Sequence, residues 1–156
     1  MSSCFAKTYA SFVLTDSSST LDKIPTHLQQ VIQSEVHNDE FDADKAYAPF
    51  SIAFAFAYDD AINPLLEDNF QLADYFKLTI ESDSLFLEGN WVENTDDHLT
   101  RWVAWVLFRE FGVGDVLSFS TETDWEDGSS SGCFYKVHRD GTVNERVVYS
   151  EVEQVC

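Results

Sequence analysis

The chain has 156 residues, 44% hydrophobic and 15% aromatic, and sets 9 Lys and Arg against 28 Asp and Glu for a formal net charge of -19. That length fits a single domain, residues 1–156, and 13 Phe, 6 Tyr and 4 Trp supply more buriable surface than a disordered acidic chain carries. Nine cations are too few to displace counterions along a phosphate backbone or to hold an anionic bilayer, so neither nucleic acid nor a membrane is expected as a direct partner.

Thr8 to Leu14 is β-branched and aromatic enough for a first strand, ended by the serines before Thr20. From Asp22, a candidate N-cap with Pro25 in the first turn, Ile24, Leu28, Val31, Ile32 and Val36 follow helical spacing. His37 to Asp44 holds Asp39, Glu40, Asp42 and Asp44 around a lone Phe41 and reads as an exposed acidic loop. Phe50, Ile52, Phe54, Phe56 and Tyr58 alternate with small residues, which predicts a central strand over Pro49–Tyr58, broken by Asp59, Asp60, Asn63 and Pro64.

A short helical turn is expected within Leu65–Asp74, then a hairpin of Tyr75–Ile80 and Leu85–Glu88 joined by Glu81–Ser84. Thr95 followed by Asp96 and Asp97 starts the principal helix, with Leu99, Trp102, Val103, Val106 and Phe111 on its apolar stripe and Gly112 at its end. Trp105 and Phe108 fall off that stripe, which predicts a helix deep between layers or one lending an aromatic face to a partner. Val116–Thr123, Gly132–His138 and Thr142–Tyr149 follow as strands, the last two joined through Arg139-Asp140-Gly141 with its Asp-Gly turn. This order predicts an α+β fold, a mainly antiparallel sheet with two principal helices packed on it. Its expected core includes Ile52, Phe54, Phe56, Leu99, Trp102, Val106, Leu117 and Phe119.

Chemistry is sparse in this pattern. Cys4, Cys133 and Cys156 form no CxxC pair, the residues around Cys4 lack a leader's pattern, and no apolar run reaches about 20 residues, so a cytoplasmic protein is expected. Cys133 and His138 lie five apart on one strand, hence on opposite faces, and neither is expected to meet a shared carboxylate. His27, His37 and His98 stand alone, and Asp124, Glu126 and Asp127 before Gly128 lack the ordered ligands of a calcium loop. No GxGxxG, P-loop or GxSxG is present. No enzyme, metal or cofactor is expected; a metal-dependent enzyme stands as one alternative and an acidic housekeeping or salt-adapted interaction module as another.

Charge is then the informative property. A compact chain of this length is roughly 38 Å across, and duplex DNA of that length displays about 22 phosphates, close to the net charge of -19. In Leu99–Tyr149, the aromatic helix, Leu117-Ser118-Phe119, the Trp125-Glu126-Asp127-Gly128 loop and Phe134-Tyr135-Lys136-Val137 before Asp140-Gly141 resemble small acidic uncharacterised α+β proteins of phages and plasmids. In size and acidity the whole chain is similar to phage DNA-mimic inhibitors of restriction or CRISPR nucleases. That resemblance implies a host-cytoplasmic, non-enzymatic inhibitor of a basic nucleic-acid-binding protein or ribonucleoprotein, and it transfers no residue roles. From the loops themselves, the expected contacts are Asp39, Glu40, Asp42, Asp44, Asp59, Asp60, Asp124, Glu126 and Asp127. Trp125 is either an aromatic anchor among them or a ring folded back onto the sheet.

Overall fold

A computed structural model describes residues 4–15, 20–47, 58–68, 75–91, 95–125 and 130–151. The sheet is built around β1 (Cys4–Val13), which pairs antiparallel with β3 (Ser84–Trp91) on one side and β4 (Val116–Trp125) on the other. β2 (Phe76–Glu81) lies outside β3, and β5 (Ser130–His138) and β6 (Val143–Glu151) extend the other side, giving the order β2-β3-β1-β4-β5-β6. Every pairing is antiparallel, and with the helices this is the expected α+β fold.

Among the described residues β1 lies at the centre of the sheet; the central strand expected over Pro49–Tyr58 falls almost wholly on residues that are not described. That segment, with Ile52, Phe54 and Phe56, lies outside the described residues except for Tyr58, which opens helix α3 (Tyr58–Ile62) instead of closing a strand. Before it come α1 (Thr20–Val36), which begins two residues earlier than Asp22 and carries Pro25 inside, and the short α2 (Ala43–Ala46). A 3-10 turn, Asn63–Leu66, follows α3. The principal helix, α4, runs Thr95–Phe111.

Sheet alternation decides what α4 meets. Ala10 and Phe12 stand beside Leu87 and Leu85 on β3, and Ala10 also stands beside Phe119 on β4. All are buried, so these positions form the helix-facing side. Gly89 lets α4 lie directly on β3, since a Cβ there would stand 2.8 Å from the Thr100 hydroxyl. On its other side α4 packs against α1 and α3. Covered on both sides, it buries Leu99, Thr100 and the whole run Trp102–Phe108, which is why Trp105 and Phe108 need no narrow stripe. Trp102 alone removes apolar surface worth on the order of 4 to 6 kcal/mol. Leu99, Trp102, Val106, Leu117 and Phe119 are core residues as expected.

Two connections are tighter or looser than expected. β2 and β3 join through two residues, Ser82 and Asp83, with Ser82 at φ +54°, where a four-residue link was predicted. β5 and β6 join through four residues, Arg139–Thr142, where a link of Arg139–Gly141 was expected: Gly141 N–H donates to His138 O, His138 N–H donates to Thr142 O, and Gly141 takes φ +90°. No helix among the described residues is long and apolar enough to cross a membrane.

Candidate acidic interaction surface

The acidic segment after α1 is ordered by its own side chains. Asn38 Oδ1 accepts from the Glu40 amide at 3.0 Å, and Asp42 Oδ1 accepts from the Asp44 and Lys45 amides at 3.1 and 3.4 Å, capping α2. Asp42 thus has a structural task that the sequence reading, which placed it in a free loop, did not assign. Asp59 and Asp60 occupy the first turn of α3, where carboxylates suit the exposed amides.

These two segments meet. Asp39, Glu40, Asp42, Asp44, Asp59 and Asp60, with Phe41 and Tyr58, line one open depression of about 760 Å³, and no basic residue stands in its wall among the described residues. All six carboxylates are on exposed residues. Among the described residues no three His, Cys, Asp or Glu side chains converge as a metal shell requires, so the acids are spread over the depression.

Beneath it lies a polar latch. The Tyr47 hydroxyl donates to Glu35, 2.8 and 2.6 Å from its two oxygens, and the Tyr58 hydroxyl donates to Glu35 Oε1 at 2.9 Å. Trp102 Nε1 donates to the Tyr47 oxygen at 2.9 Å. The rings of Tyr47 and Tyr58 stack with centroids 5.7 Å apart, and Phe41 packs against both. Burial first, then the neighbouring Glu35 carboxylate, raises both phenols well above their ordinary range, so they remain donors. Tyr47 follows α2 directly and Tyr58 directly precedes Asp59, so one carboxylate on α1 ties both acidic segments to the core. The sequence pattern does not announce this latch, because Glu35 falls off the apolar spacing of its helix.

The third predicted cluster lies elsewhere. Asp124 and Trp125 belong to β4, paired with Phe5 and Cys4, so they are strand residues and not loop residues. Glu126 and Asp127 lie outside the described residues.

His138 has a carboxylate partner of its own, not shared with Cys133: its Nδ1 lies 2.9 Å from Asp115 Oδ2. Its Nε2 is 3.0 Å from Asn144 Nδ2. With Nδ1–H donating to Asp115 and the Asn144 amide donating to Nε2, both ring nitrogens are occupied, and the imidazole braces the β5–β6 turn against the start of β4. Cys133, a free thiol, lies on the opposite face of β5, as the five-residue spacing requires.

No protein-family model, curated protein or solved structure matches the chain.

Proposed function

We propose that this protein is a non-enzymatic acidic inhibitor that occupies a basic nucleic-acid-binding groove, of a defence nuclease or CRISPR complex, in place of DNA. The observation that carries the reading is the joining of Asp39–Asp44 with Asp59 and Asp60 around one depression with no cation among the described residues of its wall. Six carboxylates spread over an open surface present separated negative charges, as a phosphate backbone does, where a metal enzyme would gather them. Anchoring through Glu35, Tyr47 and Tyr58 fixes their arrangement before binding, which lowers the ordering cost of association.

The partner is accordingly a Lys- and Arg-lined groove in a nucleic-acid-binding protein or ribonucleoprotein, and binding competes with its nucleic acid. The test reverses Asp39, Glu40, Asp59 and Asp60 to Lys and leaves the Asp42 cap intact. Inhibition and fast, salt-sensitive association should be lost while thermal unfolding stays cooperative. An unchanged association rate and salt dependence would exclude mimicry at this surface.

A further inference from the structure

The sheet face turned away from the helices carries different chemistry from the rest of the molecule. Register aligns Thr79, Phe86, Ser11, Ser118 and Lys136 in one row across five strands. The next row reads Lys77, Glu88, Tyr9, Ser120 and Phe134. In a chain with 28 acidic residues against 9 basic ones, these rows hold one carboxylate, Glu88, and Lys7 pairs with it at 3.4 Å. Neither Lys77 nor Lys136 has an ion-pair partner among the described residues.

Over these rows runs a groove of about 300 Å³, floored by Tyr9, Ser11, Ser118 and Ser120 and flanked by Phe86 and Phe134. Lys77 stands in its wall together with Glu81, the last residue of β2, and Glu88, whose charge Lys7 offsets. Phe86 is 41% exposed, although a merely solvated sheet face would place a polar side chain there. The geometry points to a binding site in this groove for a small aromatic anion, a flat ring carrying one phosphate or carboxylate. Exposed ring faces stack on a flat ring, the serine hydroxyls hydrogen-bond its polar edge, and Lys77, without an ion-pair partner among the described residues, supplies the charge partner. The volume lies at the small end of ligand sites, and the net charge of -19 repels a long polyanion, so the ligand is a single ring and not a strand of nucleic acid.

The site lies on a different layer from the acidic depression and does not depend on its reading. The experiment titrates the full isotope-labelled chain with adenosine 5′-monophosphate and with benzoate, two sources of the same chemistry, alongside adenosine and inorganic phosphate alone. Amide shifts should centre on Tyr9, Ser11, Phe86, Ser118 and Ser120 for at least one aromatic anion. Both adenosine and phosphate should bind about tenfold more weakly or not at all. Lys77→Met and Phe86→Ala, both at exposed positions, should each weaken binding about tenfold, whereas reversal of Asp39 and Glu40 should leave it intact. Absence of shifts on this face at millimolar ligand, equal binding of phosphate alone, or indifference to Lys77→Met would each overturn the site.

Discussion

Tyr47 donates its hydroxyl to Glu35 across the junction of α1 and α2, and the same oxygen accepts from Trp102 Nε1 at the centre of the core. A buried phenol thus joins the most buried helix to the base of the acidic surface. Tyr47→Phe keeps the ring and its stacking on Tyr58 but leaves the Trp102 indole without its acceptor and Glu35 with one donor fewer. The expected loss is about 1 to 3 kcal/mol, read by urea denaturation. A loss below a few tenths would mean that the latch contributes nothing to stability.

The same two phenols set a pH dependence. Tyr47 and Tyr58 have folded-state pKa values raised above the ordinary phenol value. Their stabilising contribution is complete below about pH 10, where the unfolded phenol is still protonated, and is lost as pH rises beyond it. Alkaline titration followed by phenolate absorbance should show two tyrosines ionising only as the fold melts, and Tyr58→Phe should remove one of them. Ionisation of every tyrosine near pH 10 with the fold intact would contradict the latch geometry.

How much of this was legible in the sequence depends on whether a feature is local. Thr95-Asp96-Asp97 and the spacing from Leu99 to Phe111 placed α4 correctly, because caps and periodicity are written in neighbouring residues. The alternation in Phe50–Tyr58 predicted a strand, yet Tyr58 is drawn into α3, where its hydroxyl reaches Glu35; a partner 23 residues away leaves no local trace. Asp124 and Trp125 look like loop residues beside Glu126-Asp127-Gly128, but pairing with the first residues of β1 extends β4 through them. The acidic segments were visible one by one. Their meeting was not, because it depends on Glu35 accepting from tyrosines in both.

At the far end of α4, Gly112 has no room for a side chain. A Cβ there would lie 2.5 Å from Phe108 O and 2.6 Å from Phe108 Cδ1, and Phe108 is fully buried. Gly112→Ala should therefore cost about 1 to 3 kcal/mol through overpacking, a loss of several degrees in thermal melting. An unchanged melting temperature would mean that the helix end relaxes freely.

Arg139 closes that same end from the β5–β6 turn. Its Nε donates to Gly114 O at 2.8 Å, its Nη2 to Gly112 O at 3.0 Å, and its guanidinium lies 4.2 Å from the Phe108 ring centre. A lysine has no planar fork for two carbonyls and stacks less well on the ring. Arg139→Lys should lose nearly as much stability as Arg139→Ala, about 1 to 2 kcal/mol. Full retention of stability by the lysine variant would reduce the interaction to simple charge at a helix C-terminus.

The acidic depression predicts a conflict between stability and binding. Six carboxylates around one surface repel one another within a chain of net charge -19, so those not used in the fold carry an electrostatic cost. Asp39→Asn and Glu40→Gln should each stabilise the fold in dilute buffer, by a few tenths of a kcal/mol apiece. The gain should vanish near 1 M salt, where the screening length falls to about 3 Å. Asp42 is the internal control, because its carboxylate caps α2: Asp42→Ala should destabilise at every salt concentration by about 1 kcal/mol. Acids selected only for hydration in high salt would give a wild-type protein that gains sharply in stability toward molar salt. Acids held for a basic partner give one already folded in dilute buffer, whose neutralised variants melt higher and bind more weakly. If neutralising Asp39 and Glu40 leaves low-salt melting and partner binding both unchanged, the depression is neither electrostatically stressed nor a contact surface, and the decoy reading fails with it.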